Sequence, residues 1–81
     1  MNMREYLSDF MDDAIFLTGL DDAIIGHGER CDLSVVLYDA NKCIELLMEQ
    51  GMNLEESEEY FSYNILGAYL GKRTPIFCYL E

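Results

Sequence analysis

The chain has 81 residues, and its 16 Asp and Glu outnumber its 5 Lys and Arg, which gives a formal net charge of -11. A chain this short has room for one hydrophobic core, so we predict a single compact domain over residues 1–81. The hydrophobic fraction of 51% argues against disorder. The charge argues against direct binding to nucleic acid or to an anionic membrane, because electrostatic repulsion would oppose either contact.

The first predicted element is an amphipathic helix over residues 2–18, which Gly19 would stop. Its apolar face consists of Leu7, Phe10, Met11, Ala14 and Leu17. The acidic residues Glu5, Asp9, Asp12 and Asp13 fall on the opposite side. Because three of these acids are four residues apart, each carboxylate would rise about 6 Å along one helix face and form a regular negative array.

An antiparallel hairpin is predicted next. Two β-favouring runs, residues 23–30 and residues 34–38, are separated by three residues. Gly26 and Gly28 lie in the first run and would weaken its pairing or force a bulge. A short helix over residues 21–25 is the alternative for the start of that run.

Two further helices follow the hairpin. Asp39 can cap a second helix that runs up to Gly51. Asn53 and Glu56 have the spacing of a capping box, which predicts a third helix from Leu54 toward Leu66 or beyond. Its expected core stripe is Leu54, Phe61, Ile65 and Ala68.

A final strand over residues 76–80 begins after Thr74 and Pro75. The element order is therefore helix, strand, strand, helix, helix, strand. We predict an α+β fold in which a small three-stranded, mainly antiparallel sheet packs one face against about three helices.

No catalytic residue, metal site or cofactor is predicted. Cys31, Cys43 and Cys78 lack the paired short spacing of a zinc site or a redox pair, so we expect reduced core thiols. A small enzyme would depend on His27 and nearby carboxylates, but no serine is placed as an obvious nucleophile. We therefore predict a non-catalytic protein, and the enzyme remains the less favoured alternative.

The acidic helical faces are the most informative feature of the sequence. Like charges four residues apart destabilise a helix slightly, so their repetition indicates either a docking surface for a basic partner or a need for solubility. Tyrosines beside the second face add aromatic contact surface. The candidate partner-binding residues are Glu5, Asp9, Asp12, Asp13, Glu55, Glu56, Glu58, Glu59, Tyr60 and Tyr63.

The chain contains Tyr60-Phe61-Ser62-Tyr63-Asn64, followed by Gly67-Ala68-Tyr69-Leu70-Gly71 and Thr74-Pro75. These segments, with others between residues 20 and 77, resemble small acidic proteins of bacteriophages and prophages. The family carries no biochemical activity that can be transferred to this chain. The resemblance implies a phage context, in which small acidic proteins often inhibit host defence, as anti-CRISPR proteins do.

We therefore expect a phage-encoded, non-catalytic inhibitor that binds and blocks a basic, nucleic-acid-binding surface of a host defence protein. A small homodimeric structural or regulatory phage protein, joined through its aromatic surface, is the alternative. The sequence has no cationic start followed by an apolar run and no uncharged apolar stretch near ~18 residues. We expect no membrane association and a location in the cytoplasm of the infected host.

Overall fold

The computed structural model describes residues 3–80, and its first helix, α1 (Met3–Phe10), is shorter than the predicted one. Asn2, the predicted first residue, lies outside the described residues, and the predicted continuation to residue 18 is wrong. In a continued helix the Leu17 N–H would donate to a carbonyl four residues earlier. It donates instead to the hydroxyl oxygen of Tyr38 at 2.8 Å. This bond holds the segment after α1 against the sheet as irregular chain.

The second helix, α2 (Ala40–Glu49), has the predicted ends. The Asp39 carboxylate accepts the N–H of Lys42 at 3.2 Å and caps its first turn. Gly51, with a φ of +109°, follows its C-terminus. The N–H groups of Gly51 and the next residue donate to carbonyls of the last turn at 3.0 and 3.4 Å, which completes a Schellman motif.

The third helix, α3 (Leu54–Tyr60), begins with the predicted capping box. Asn53 accepts the N–H of Glu56 at 2.8 Å, and the Glu56 carboxylate accepts the N–H of Asn53 at 2.9 Å. The helix continues as a π-helical segment, Phe61–Leu66, in agreement with the predicted extent. The hydrogen bonds of a π-helix join residues five apart, one more than in an α-helix, and such segments are frequent at functional sites.

The predicted core stripe of α3 is only partly right. Phe61 is buried and Ile65 is half-buried, but Leu54 is 54% exposed. Ser57, four residues before Phe61, occupies the inward position and is completely buried. The inward face of α3 is therefore set by residues 57 and 61, because residues four apart share one helix face.

The sheet contains β1 (Ile24–Arg30), β2 (Leu33–Asp39) and β3 (Ile76–Cys78) in that spatial order. The α+β class and the predicted element order are confirmed. The sheet is mixed, because β1 pairs antiparallel with β2 and β3 pairs parallel with β2. A parallel pair needs a long crossover, and α2 and α3 supply it.

The start of β1 combines both predicted alternatives. Asp21–Ala23 forms one 3₁₀ turn, and the strand begins directly after it. The pairing register shifts between Ile24 and Gly26, which is the predicted irregularity.

The core lies between the sheet and the helices. Val36 and Tyr38 alternate inward from β2, and the Tyr38 ring stacks on Phe77 of β3 with 5.6 Å between centroids. Phe61 meets Phe77 edge-on at 5.2 Å. The buried cluster consists of Leu7, Met11, Leu20, Ala23, Ile24, Val36, Tyr38, Ala40, Cys43, Leu47 and Phe61. In the described range no helix has the length and apolarity to cross a membrane.

Candidate functional site

The outer face of α3 carries a dense set of carboxylates. Because Ser57 and Phe61 point inward, the intervening and preceding positions point away from the core. All four glutamates of this face are exposed, namely Glu55, Glu56, Glu58 and Glu59. This set is called the α3 acidic face below.

Aromatic side chains border the α3 acidic face at its C-terminal end. Glu56, Glu59, Tyr60, Tyr63 and Asn64 together line a shallow depression of about 290 Å³. The Tyr60 side chain is 43% exposed and that of Tyr63 is 82% exposed. Carboxylates beside open aromatic rings provide both an ion-pair partner and a cation–π surface for a Lys or Arg side chain.

The α3 acidic face keeps its negative charge within the described part of the chain. The ion pairs found between residues 3 and 80 are Arg4–Asp21 at 3.2 Å and Lys42–Glu45 at 3.5 Å. Neither pair includes a glutamate of α3. An incoming cation would therefore meet carboxylates that no basic side chain of residues 3–80 already neutralises.

The N-terminal acids do not form the regular array that the sequence predicted. Glu5 and Asp9 are exposed on α1, whereas Asp12 and Asp13 follow its end. Asp12 and Asp13 line a separate depression of about 300 Å³ together with Arg73. The array is broken because α1 ends at Phe10. In addition, the Arg73 guanidinium beside Asp12 and Asp13 weakens the local negative field.

An exposed aromatic cluster that the sequence did not predict joins α1 to β1. Phe10, predicted as core, is 49% exposed and contacts Tyr6 edge-on with 5.3 Å between ring centroids. The His27 ring meets Phe10 edge-on at 5.2 Å. No sequence signal placed His27 beside α1. Asn64 could have been added to the α3 site, because it is four residues after Tyr60.

The cysteines occupy three different environments. Cys43 is completely buried in α2, and burial raises the pKa of its thiol to about 12, with a smaller effect from the charge of Asp39. Cys31 is exposed and Cys78 is half-buried. The prediction of core thiols is therefore right for Cys43 and wrong for Cys31. Among residues 3–80, no three His, Cys, Asp or Glu side chains converge as metal ligands would.

Comparison with known proteins gives no relative: no protein-family model, curated protein or solved structure matches the chain. The resemblance to phage proteins therefore stays a prediction. The function has to be argued from the surface chemistry of the fold.

Proposed function

We propose that the chain is a non-catalytic binding protein whose α3 acidic face docks on a basic surface of a partner protein. The partner surface is one that ordinarily binds nucleic acid, and the complex blocks it. The predicted resemblance to phage proteins supports a host defence protein as the partner, in the manner of an anti-CRISPR inhibitor, and favours an encounter in the cytoplasm of the infected host. No chemical step is required for this activity.

One observation carries the proposal: the carboxylates of α3 are exposed directly beside the open rings of Tyr60 and Tyr63. Acidity needed only for solubility would not require neighbouring aromatic surface, since exposed aromatic rings reduce solubility. A basic protein surface with Arg and Lys side chains is complementary to both features. Nucleic acid is repelled by the same charge.

The test compares two variants that each lose three negative charges. In the first, Glu55, Glu58 and Glu59 are changed to Gln, and Glu56 is kept because its carboxylate completes the capping box. In the matched control, Asp9, Asp12 and Asp13 are changed to Asn at the other end of the chain. Each exposed carboxylate is worth about 0.5 kcal/mol to a docked cation, so the first variant should bind about tenfold more weakly. The control should bind within about twofold of the parent.

The measurement begins with capture of host proteins on the immobilised parent chain. Each captured protein is then tested for binding to its nucleic acid in a gel shift, with and without the parent chain. The expected result is displacement of the nucleic acid, which weakens as salt rises because screening shortens the reach of surface charges to ~8 Å at physiological ionic strength. Ternary complexes that keep the nucleic acid bound, or equal binding by the two triple variants, would contradict the proposal.

A second candidate function is a homodimeric structural or regulatory protein. The observation that favours it is the exposure of aromatic side chains near the C-terminal end, with Tyr63, Tyr69 and Tyr79 exposed to 82%, 76% and 55%. Aromatic residues are enriched in protein interfaces. Sedimentation equilibrium distinguishes the two functions. The homodimer would be favoured if the α3 triple variant still forms a dimer and the parent chain captures no partner.

A further inference from the structure

A groove on the far face of the sheet differs in charge from the rest of the molecule. Arg30 and Leu33 are paired across the β1–β2 hairpin, so their side chains share one face of the sheet. Side chains three residues apart on a strand point to opposite faces of the sheet. Leu33 is three residues before Val36, which points into the core, so the face that carries Leu33 lies away from the helices. The groove has a volume of about 490 Å³ and is lined by Arg30, Cys31, Leu33, Tyr69 and Lys72.

The charge of the groove is the reverse of the charge of the chain. Two of the five Lys and Arg residues line it, whereas none of its lining residues is one of the 16 acids. Neither Arg30 nor Lys72 is in an ion pair with a carboxylate of residues 3–80. A local pair of cations without carboxylate partners favours an anion even in a protein whose net charge is negative, because nearby charges act more strongly than distant ones.

Side-chain hydrogen bonds hold in place the two segments that carry Arg30 and Lys72. A guanidinium nitrogen of Arg30 donates to the carbonyl oxygen of Thr74 at 2.9 Å, which uses one of five N–H donors and leaves the others available. The Thr74 hydroxyl accepts the N–H of Leu70 at 2.9 Å and donates to the carbonyl of Gly71 at 2.6 Å. These bonds close the turn that contains Lys72, which lines the groove together with Arg30.

The hairpin turn separates the thiol from the nearest acid. Cys31 and Asp32 form a two-residue turn with φ angles of +51° and +67°, the positive values that a type I′ turn requires. Cys31 lines the groove, whereas Asp32 lines the depression beside Arg73. The carboxylate of Asp32, the residue after Cys31, is therefore directed away from the groove.

We propose that this groove binds a small organic anion that has a planar ring. Arg30 and Lys72 would contact the phosphate or carboxylate of the ligand, since a guanidinium is well suited to either group. Leu33 would lie under the ring, and Tyr69, which is 76% exposed, would stack on it. The volume is in the range of small-molecule sites and suits a ligand of about the size of one nucleotide. This site is independent of the α3 acidic face.

The test is a titration of the ¹⁵N-labelled full-length chain followed by amide NMR shifts. The probes are adenosine monophosphate and 2-naphthoate, each of which combines a planar bicyclic ring with an anionic group. We expect at least one probe to bind with a dissociation constant of about 1 mM or tighter, with the largest shifts at the groove residues. The non-ionic nucleoside adenosine and inorganic phosphate alone should each bind at least about fivefold more weakly than the better probe.

Two variants test the cationic part and the aromatic part of the site, and a third variant controls for net charge. Lys72→Gln and Tyr69→Leu change exposed side chains, and each should weaken binding of the better probe at least about fivefold. Lys42→Gln removes the same charge from α2 and should leave binding within about twofold.

The proposal is overturned if neither probe shifts the groove amides at concentrations up to about 10 mM. It is also overturned if adenosine binds as tightly as adenosine monophosphate, or if Lys42→Gln weakens binding as much as Lys72→Gln does. Tighter binding of a single-stranded oligonucleotide than of either probe would identify the site as a nucleic-acid surface and would likewise overturn it.

Discussion

Replacement of Ser57 by alanine should stabilise the protein, which is unusual for a change at a completely buried position. The Ser57 side chain is 0% exposed, and its hydroxyl oxygen has no hydrogen-bond partner within the described residues. A buried hydroxyl without a partner costs about 1–3 kcal/mol of desolvation free energy. Alanine also has a helix propensity about 0.5 kcal/mol better than that of serine. The removed oxygen forfeits dispersion contacts worth about 0.1–0.2 kcal/mol each.

The balance of these effects predicts a gain of about 1 kcal/mol in the free energy of unfolding. For a chain of this length, that gain corresponds to a rise of about 6 °C in Tm. The assay is urea and thermal unfolding followed by circular dichroism. Ser8→Ala is the matched control, because Ser8 is in α1, is exposed and already donates to the carbonyl of Glu5 at 3.1 Å. The control should stay within about 0.5 kcal/mol of the parent.

A loss of more than about 1 kcal/mol in Ser57→Ala would refute the reasoning. It would mean that the hydroxyl has a strong partner, for which the carbonyls of the preceding helical turn are the nearest candidates. Equal gains in Ser57→Ala and Ser8→Ala would leave helix propensity as the whole effect, and the desolvation argument would then be wrong.

Three further predictions concern the core and the helix ends. Tyr38→Phe should lower the free energy of unfolding by about 1–3 kcal/mol, because the N–H of Leu17 loses its acceptor; Tyr79→Phe, at an exposed position, is the control in the same urea unfolding assay. Gly51→Ala should cost about 1 kcal/mol, because a φ of +109° is strained for alanine, and a change of less than about 0.3 kcal/mol would contradict the Schellman assignment. The contribution of Cys43 to stability should be constant at neutral pH and fall as pH rises from about 9 toward about 12, since the unfolded Cys43 thiol loses its proton before the buried one does. The slope difference between the parent and Cys43→Ala isolates this effect, and Cys31→Ala should reproduce the parent slope.

The sequence predicted well those features that depend on neighbouring residues. Caps are local, so Asp39 and the Asn53–Glu56 pair placed the starts of α2 and α3 correctly. The grouping of Glu56, Glu59, Tyr60 and Tyr63 also followed from the sequence, because residues three and four apart on a helix are neighbours. The prediction of the α3 site depended only on the formation of this one helix.

Features that depend on distant residues were decided by the tertiary structure. The hydrogen bond between Leu17 and Tyr38 spans 21 residues and holds the segment after α1 against the sheet. α1 ends at Phe10, so the predicted N-terminal array of acids is broken. Parallel pairing of β3 depends on the path of two intervening helices. The basic groove joins Arg30 to a turn around Lys72, and the bond between Arg30 and Thr74 spans 44 residues. No local pattern of spacing encodes such a contact, because it forms only when packing of the core brings the two segments together.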